Sequence, residues 1–170
     1  MRVREFFGRW GRGVGLVALA GMMGVLAGCA GRGVGRVSLE PVPFAMVVPE
    51  GIARRLTTGP VEGLFGREVE RAGALAARTV YFNPGPGEEN LPRSDFLTAF
   101  YFPEAAFDAA QNPNEPPSFG QAVVRGEGTV LGIAGPHDTI YDPGTRAGRD
   151  VVRLAGRIYE SDTYQRIEKP

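Results

Sequence analysis

The chain has 170 residues, with 19 Lys+Arg balanced by 19 Asp+Glu, one histidine and one cysteine. That balance excludes a strongly electrostatic nucleic-acid binder, which carries a basic excess, and gives no reason to expect a polybasic membrane patch. With a single cysteine no intrachain disulfide can form, so the fold has to rest on a hydrophobic core.

Arg2, Arg4, Arg9 and Arg12 face one acid, Glu5, at the start of the chain. From Val14 to Val25 the residues are uncharged and largely apolar. As a helix this run rises about 18 Å, well short of the ~30 Å hydrocarbon core, which favours a cleaved export signal over a transmembrane span. No adjacent Arg-Arg pair is present there, so the general secretory route is expected.

Directly after the apolar run comes Leu26-Ala27-Gly28-Cys29, with the only cysteine. This tetrapeptide resembles the lipobox of bacterial lipoproteins. The resemblance implies cleavage before Cys29 by signal peptidase II and lipidation of Cys29, with a diacylglyceryl group and often a further acyl chain such as palmitate. Two or more chains anchor stably, at about 0.8 kcal/mol per buried CH₂. The expected organisation is a signal peptide over 1–28, a lipidated Cys29 with a flexible tether over 29–43, and one globular domain over 44–170. The mature part carries 15 basic and 18 acidic residues, a net charge of −3. Ala30, in place of Asp, points to the outer membrane, periplasmic side, if the host is Gram-negative.

Residues 30–43 read as the tether because glycines loosen their first half and Pro41 and Pro43 stiffen the end. Phe44–Val48 predicts a strand closed by a Pro49-Glu50-Gly51 turn, and Ile52–Thr58 a hairpin partner. Between Leu64 and Ala77, Phe65, Val69, Ala72 and Ala76 recur at helical spacing with charges on the other face. Thr79–Phe82 predicts a strand, and 83–93, with three prolines and two glycines, a long loop that is either functional or mobile.

Phe96–Phe102 is the most aromatic stretch and predicts a central strand. Pro103 and Glu104 suit the first turn of a helix running to Gln111. Gln121–Arg125 fits strand or helix, Thr129–Ala134 a strand, and Thr139–Tyr141 one more short strand. A last helix is predicted over Gly148–Tyr159, with Val151, Val152, Leu154, Ala155 and Ile158 on one side. The polar tail from Ser161 is expected to fray.

These elements predict an α+β fold: a single domain in which a largely antiparallel sheet is covered by helices. The opening strand followed by Pro-Glu-Gly, together with the closing helix, resembles the element order of small envelope lipoproteins of the PsbP/Mog1/DcrB-like architecture.

The chemistry is sparse. His137, in Gly135-Pro136-His137-Asp138-Thr139, pairs on paper with Asp138 or Asp142 as a base or ligand. One histidine without a free cysteine lacks the ligand count of a zinc site. Ser38, Ser94, Ser118 and Ser161 all lie outside any Gly-x-Ser-x-Gly context. Glu88 with Glu89, and Glu104 with Asp108, read as solvated pairs, and Asp138, Asp142 and Asp150 do not match an EF-hand loop. No catalytic residue, metal or cofactor is assigned. Phe96, Phe100, Tyr101, Phe102, Phe107, Tyr81 and Phe82 read as core, or alternatively as the lining of an apolar pocket.

The expected function is a lipid-anchored envelope protein, a non-enzymatic binding or accessory module. It would be held to the membrane by its anchor, with an envelope protein as possible partner and no nucleic acid. The alternatives are an envelope hydrolase using His137 and a carrier of a small apolar ligand.

Overall fold

The computed structural model describes residues 33–168, apart from 112–113, 115 and 138–139. The apolar leader and Cys29 lie outside the described residues. In chain order the elements are β1 (Val34–Ser38), β2 (Phe44–Pro49), α1 (Glu50–Ala53), β3 (Leu56–Gly59), α2 (Gly63–Arg71) and β4 (Ala76–Phe82). After a loop come β5 (Ser94–Pro103), α3 (Glu104–Ala110), β6 (Gln121–Gly126), β7 (Thr129–Ala134), α4 (Arg146–Ala155), a 3₁₀ turn (Ser161–Thr163) and β8 (Tyr164–Arg166).

The strands form two antiparallel sheets, β1-β2-β8 and β3-β4-β5-β7-β6, so the fold is α+β. The aromatic stretch is the middle strand of the larger sheet. Alternation along β5 divides its side chains between two cores. Leu97, Ala99 and Tyr101 face the smaller sheet and α4, where Phe44, Met46, Val151, Leu154 and Ile158 meet them. Phe100 and Phe102 face the opposite way and pack with Val69 of α2, Phe107 of α3 and Phe119. The larger sheet is therefore the middle layer of the described domain.

Several expectations need correction. The tether over 29–43 is not flexible throughout, because β1 occupies Val34–Ser38 and pairs along its whole length with β2. Gly35 serves close approach here: a Cβ at this position would overlap Ala53 of α1. Ile52–Thr58 is no hairpin partner of β2. It starts inside α1 and continues as β3, which pairs with β4. The second helix stops at Arg71 because Gly73 takes a φ of 84°, which favours glycine, and β4 begins by Ala76.

Ile140 and Tyr141 are not in a strand; the Tyr141 ring is buried, 5.5 Å from that of Phe82. The last helix starts earlier, capped by the Thr145 hydroxyl accepting from the Gly148 N–H, and it leaves Val152 57 % exposed. The tail does not fray at Ser161. Tyr164–Arg166 pairs with Phe44–Met46, and the Tyr164 hydroxyl donates to the Ile158 carbonyl at 2.8 Å. Burial pushes the Tyr164 hydroxyl pKa strongly up, so it stays a neutral donor.

Candidate functional site: an open cleft beside His137

Of the candidate residues, His137 and Tyr81 lie in a site where several polar groups converge. Its cleft, of about 570 Å³, lies on the α2 side of the larger sheet and is lined by Val61, Glu62, Phe65, Thr79, Tyr81, Arg93, Asp95, Thr98 and His137. The helices cover only part of this sheet face. Phe107 and Phe119 close over Phe102, with ring centroids 5.8 and 5.2 Å away, whereas the strip beyond Thr98 is left open.

A bulge decides what faces that strip. The β4–β5 register pairs Val80 with Leu97 but Tyr81 with Asp95, so Phe96 is an extra residue in β5. Beyond the bulge the alternation reverses. Phe96 and Leu97 both enter the core shared with α4, and Asp95 turns to the side of Thr98. A regular strand would have aimed the Asp95 carboxylate into an apolar interior.

The floor consists of Thr79 and Thr98, register partners that are 7 % and 5 % exposed. Thr98 Oγ1 lies 3.4 Å from His137 Nε2, a long contact. The His137 backbone N–H donates to the Phe96 carbonyl at 2.8 Å, which holds this segment against β5 after the cis Gly135–Pro136 bond. On one wall the Arg93 guanidinium stacks over the Tyr81 ring, 4.0 Å from its centroid. Behind that ring Gly59 packs so closely that a Cβ would come within 2.8 Å of it. On the other wall stand Phe65 and Glu62, the N-cap of α2, whose side chain makes no cap hydrogen bond. Among the described residues, neither Arg93 nor Asp95 has an ion-pair partner.

The remaining candidates among the described residues do not assemble around His137. Asp138 lies outside the described residues, as does Cys29. Asp142 accepts from the Gly144 N–H at 2.7 Å in the turn before α4. Ser38 accepts from the Glu40 N–H, and Ser94, Ser118 and Ser161 do not line the cleft. Glu104 and Asp108 both clamp Arg125 at 2.8 Å, tying α3 to β6. Among the described residues no group of three or more His, Asp or Glu stands together as a metal-ligand set.

Glu88 and Asp150 are not simply solvated. Both pair at 2.7 Å with Arg55, which is 6 % exposed and lies 4.7 Å over the Phe82 ring. Glu88 also accepts from the Ala147 N–H at 2.9 Å. That N–H, and then Arg55, hold the Glu88 carboxyl below the usual carboxylate range against the opposing effect of burial. Glu89 accepts from the Gly87 N–H at 2.8 Å, which lowers its pKa as well.

The aromatic stretch is core. Phe100 lies 5.8 Å from Phe65 and 5.6 Å from Phe119, both edge-on, so the rings occupy one another's faces. Sequence reasoning passed over Glu62, Thr79, Arg93, Asp95 and Thr98 as site residues. The one local signal was a threonine inside an apolar strand, at Thr98.

Compared with known protein families, curated proteins and solved structures, the chain matches none. The likeness to PsbP- and DcrB-like lipoproteins accordingly rests on element order alone.

Proposed function

We propose that this protein is an exported, lipid-anchored bacterial envelope protein whose domain is a non-enzymatic binding module, with the cleft beside His137 as its binding site. The observation that carries the anchor is the apolar run ending in Leu26-Ala27-Gly28-Cys29. β1 starts five residues after Cys29, and five residues of extended chain reach at most about 18 Å. A domain anchored at Cys29 therefore sits close to the bilayer surface.

The cleft favours binding over catalysis. It gathers donors and acceptors, but among the described residues the His137 ring meets the Thr98 hydroxyl at a long 3.4 Å and has no carboxylate hydrogen-bonded to it. Nucleophilic hydrolysis needs a nucleophile, a base within hydrogen-bond reach and a group that orients the base.

Metabolic labelling with radioactive palmitate tests the anchor. Wild type is expected to incorporate label and Cys29→Ala to lose it; equal incorporation in both removes the reading. A hydrolytic activity that disappears with His137 would speak against a binding module.

A further inference from the structure

We infer that the cleft beside His137 takes a neutral, polyhydroxylated ligand, a short saccharide; this rests on the cleft being the binding site. The floor argues first. Thr79, 7 % exposed, lines the cleft, and its hydroxyl makes no side-chain hydrogen bond among the described residues, so it is open to a ligand. Beside it, Thr98 has only the long contact to His137. Each threonine hydroxyl can both donate and accept, so a ligand group that also does both is matched there.

The walls narrow the class. Arg93 offers guanidinium donors held in place by stacking on Tyr81, while Asp95 and Glu62 offer only acceptors. Asp95 is the register partner of Tyr81, so donor and acceptor flank the same ring without pairing with each other. Hydroxyl groups satisfy both signs within a few ångströms and bring no charge. Two carboxylates against one guanidinium disfavour an anion, and Arg93 offsets part of the carboxylates' pull on a cation. Phe65, 38 % exposed, supplies an apolar surface for the C–H face of a sugar ring.

The test is calorimetric titration of the full lipidated protein, in a detergent without a sugar headgroup. The neutral probes are maltotriose, cellotriose and triacetylchitotriose; trilysine and citrate are the charged probes. At least one neutral trisaccharide is expected to bind. Arg93→Gln, Asp95→Asn and Thr79→Val are each expected to weaken it about tenfold without lowering the melting temperature. Arg93 and Asp95 are exposed, so their variants keep the test open if Thr79→Val fails to fold. Binding of none of the three sugars, or sugar binding indifferent to Arg93→Gln and Asp95→Asn, overturns the inference. Trilysine or citrate binding in place of sugar also overturns it while leaving a binding module, and the palmitate experiment reports on the anchor separately.

Discussion

Arg55 shows how much one side chain can carry when tertiary structure surrounds it. In sequence it is half of an Arg-Arg pair, yet Arg54 is exposed and pairs locally with Glu50 whereas Arg55 is buried. Its guanidinium donates to Glu88, Asp150 and the Asn83 carbonyl, and its own carbonyl accepts from Asn83 at 2.8 Å. Removing one partner of a buried ion pair costs more than the pair contributes, because the other charges stay behind unpaired. Arg55→Ala is expected to destabilise the domain by about 3 kcal/mol, the low end for such a change since both carboxylates keep some access to water. A shift of the urea midpoint checks this, and a shift near zero removes Arg55 as a keystone. Gly148 is a second such residue. Glycine weakens a helix, but a Cβ here would overlap the Asp142 carbonyl, so the turn before α4 requires it.

Among elements, the loop over 83–93 is the instructive one. Its prolines and glycines fit a functional or a mobile segment, but long-range contacts hold it down. Glu88 reaches Arg55 and the Ala147 N–H, and the Tyr141 hydroxyl donates to the Pro92 carbonyl at 2.7 Å and the Phe82 carbonyl at 3.2 Å. The loop then delivers Arg93 to the cleft. Because the folded Glu88 carboxyl titrates below its ordinary value of about 4.5, its contribution is complete above that pH. It is lost as pH falls through the lowered value, and Glu89 acts in the same direction. The melting temperature is therefore expected to be level just above pH 4.5 and to drop below it. Glu88→Gln should lower the level part and make the drop shallower; an unchanged profile would mean that Glu88 does not latch the loop. Amide exchange over 83–93 should quicken in the same variant.

At the scale of the whole molecule, the two cores are not independent. Neighbouring residues of β5 belong to different ones, Ala99 and Tyr101 to the core with α4 and Phe100 and Phe102 to the core with α2 and α3. Losing either core exposes one face of the same central strand. Urea unfolding is accordingly expected as a single transition, coincident by tyrosine fluorescence and far-ultraviolet dichroism. Two separated transitions would show that the helical layer melts on its own.

What was legible in the residues follows from how far apart the interacting partners lie. The α+β class, β5, β7 and α3 come from local periodicity and turn chemistry: aromatic and β-branched runs for the strands, Pro103-Glu104 for a helix start. β1 and β8 were not legible. A Gly-rich segment and a polar tail become strands only because β2 has two edges to pair with. The cleft was less legible still. Thr79 and Thr98 meet through register, Asp95 faces them through a one-residue bulge, and Arg93 arrives on a loop latched by Arg55, 33 residues before Glu88. The sequence by itself determined the class of fold and its central strands, since neighbours along the chain set those. Only the tertiary structure decided which polar groups share an open face, because pairing and packing between distant segments turn each side chain toward water or away from it.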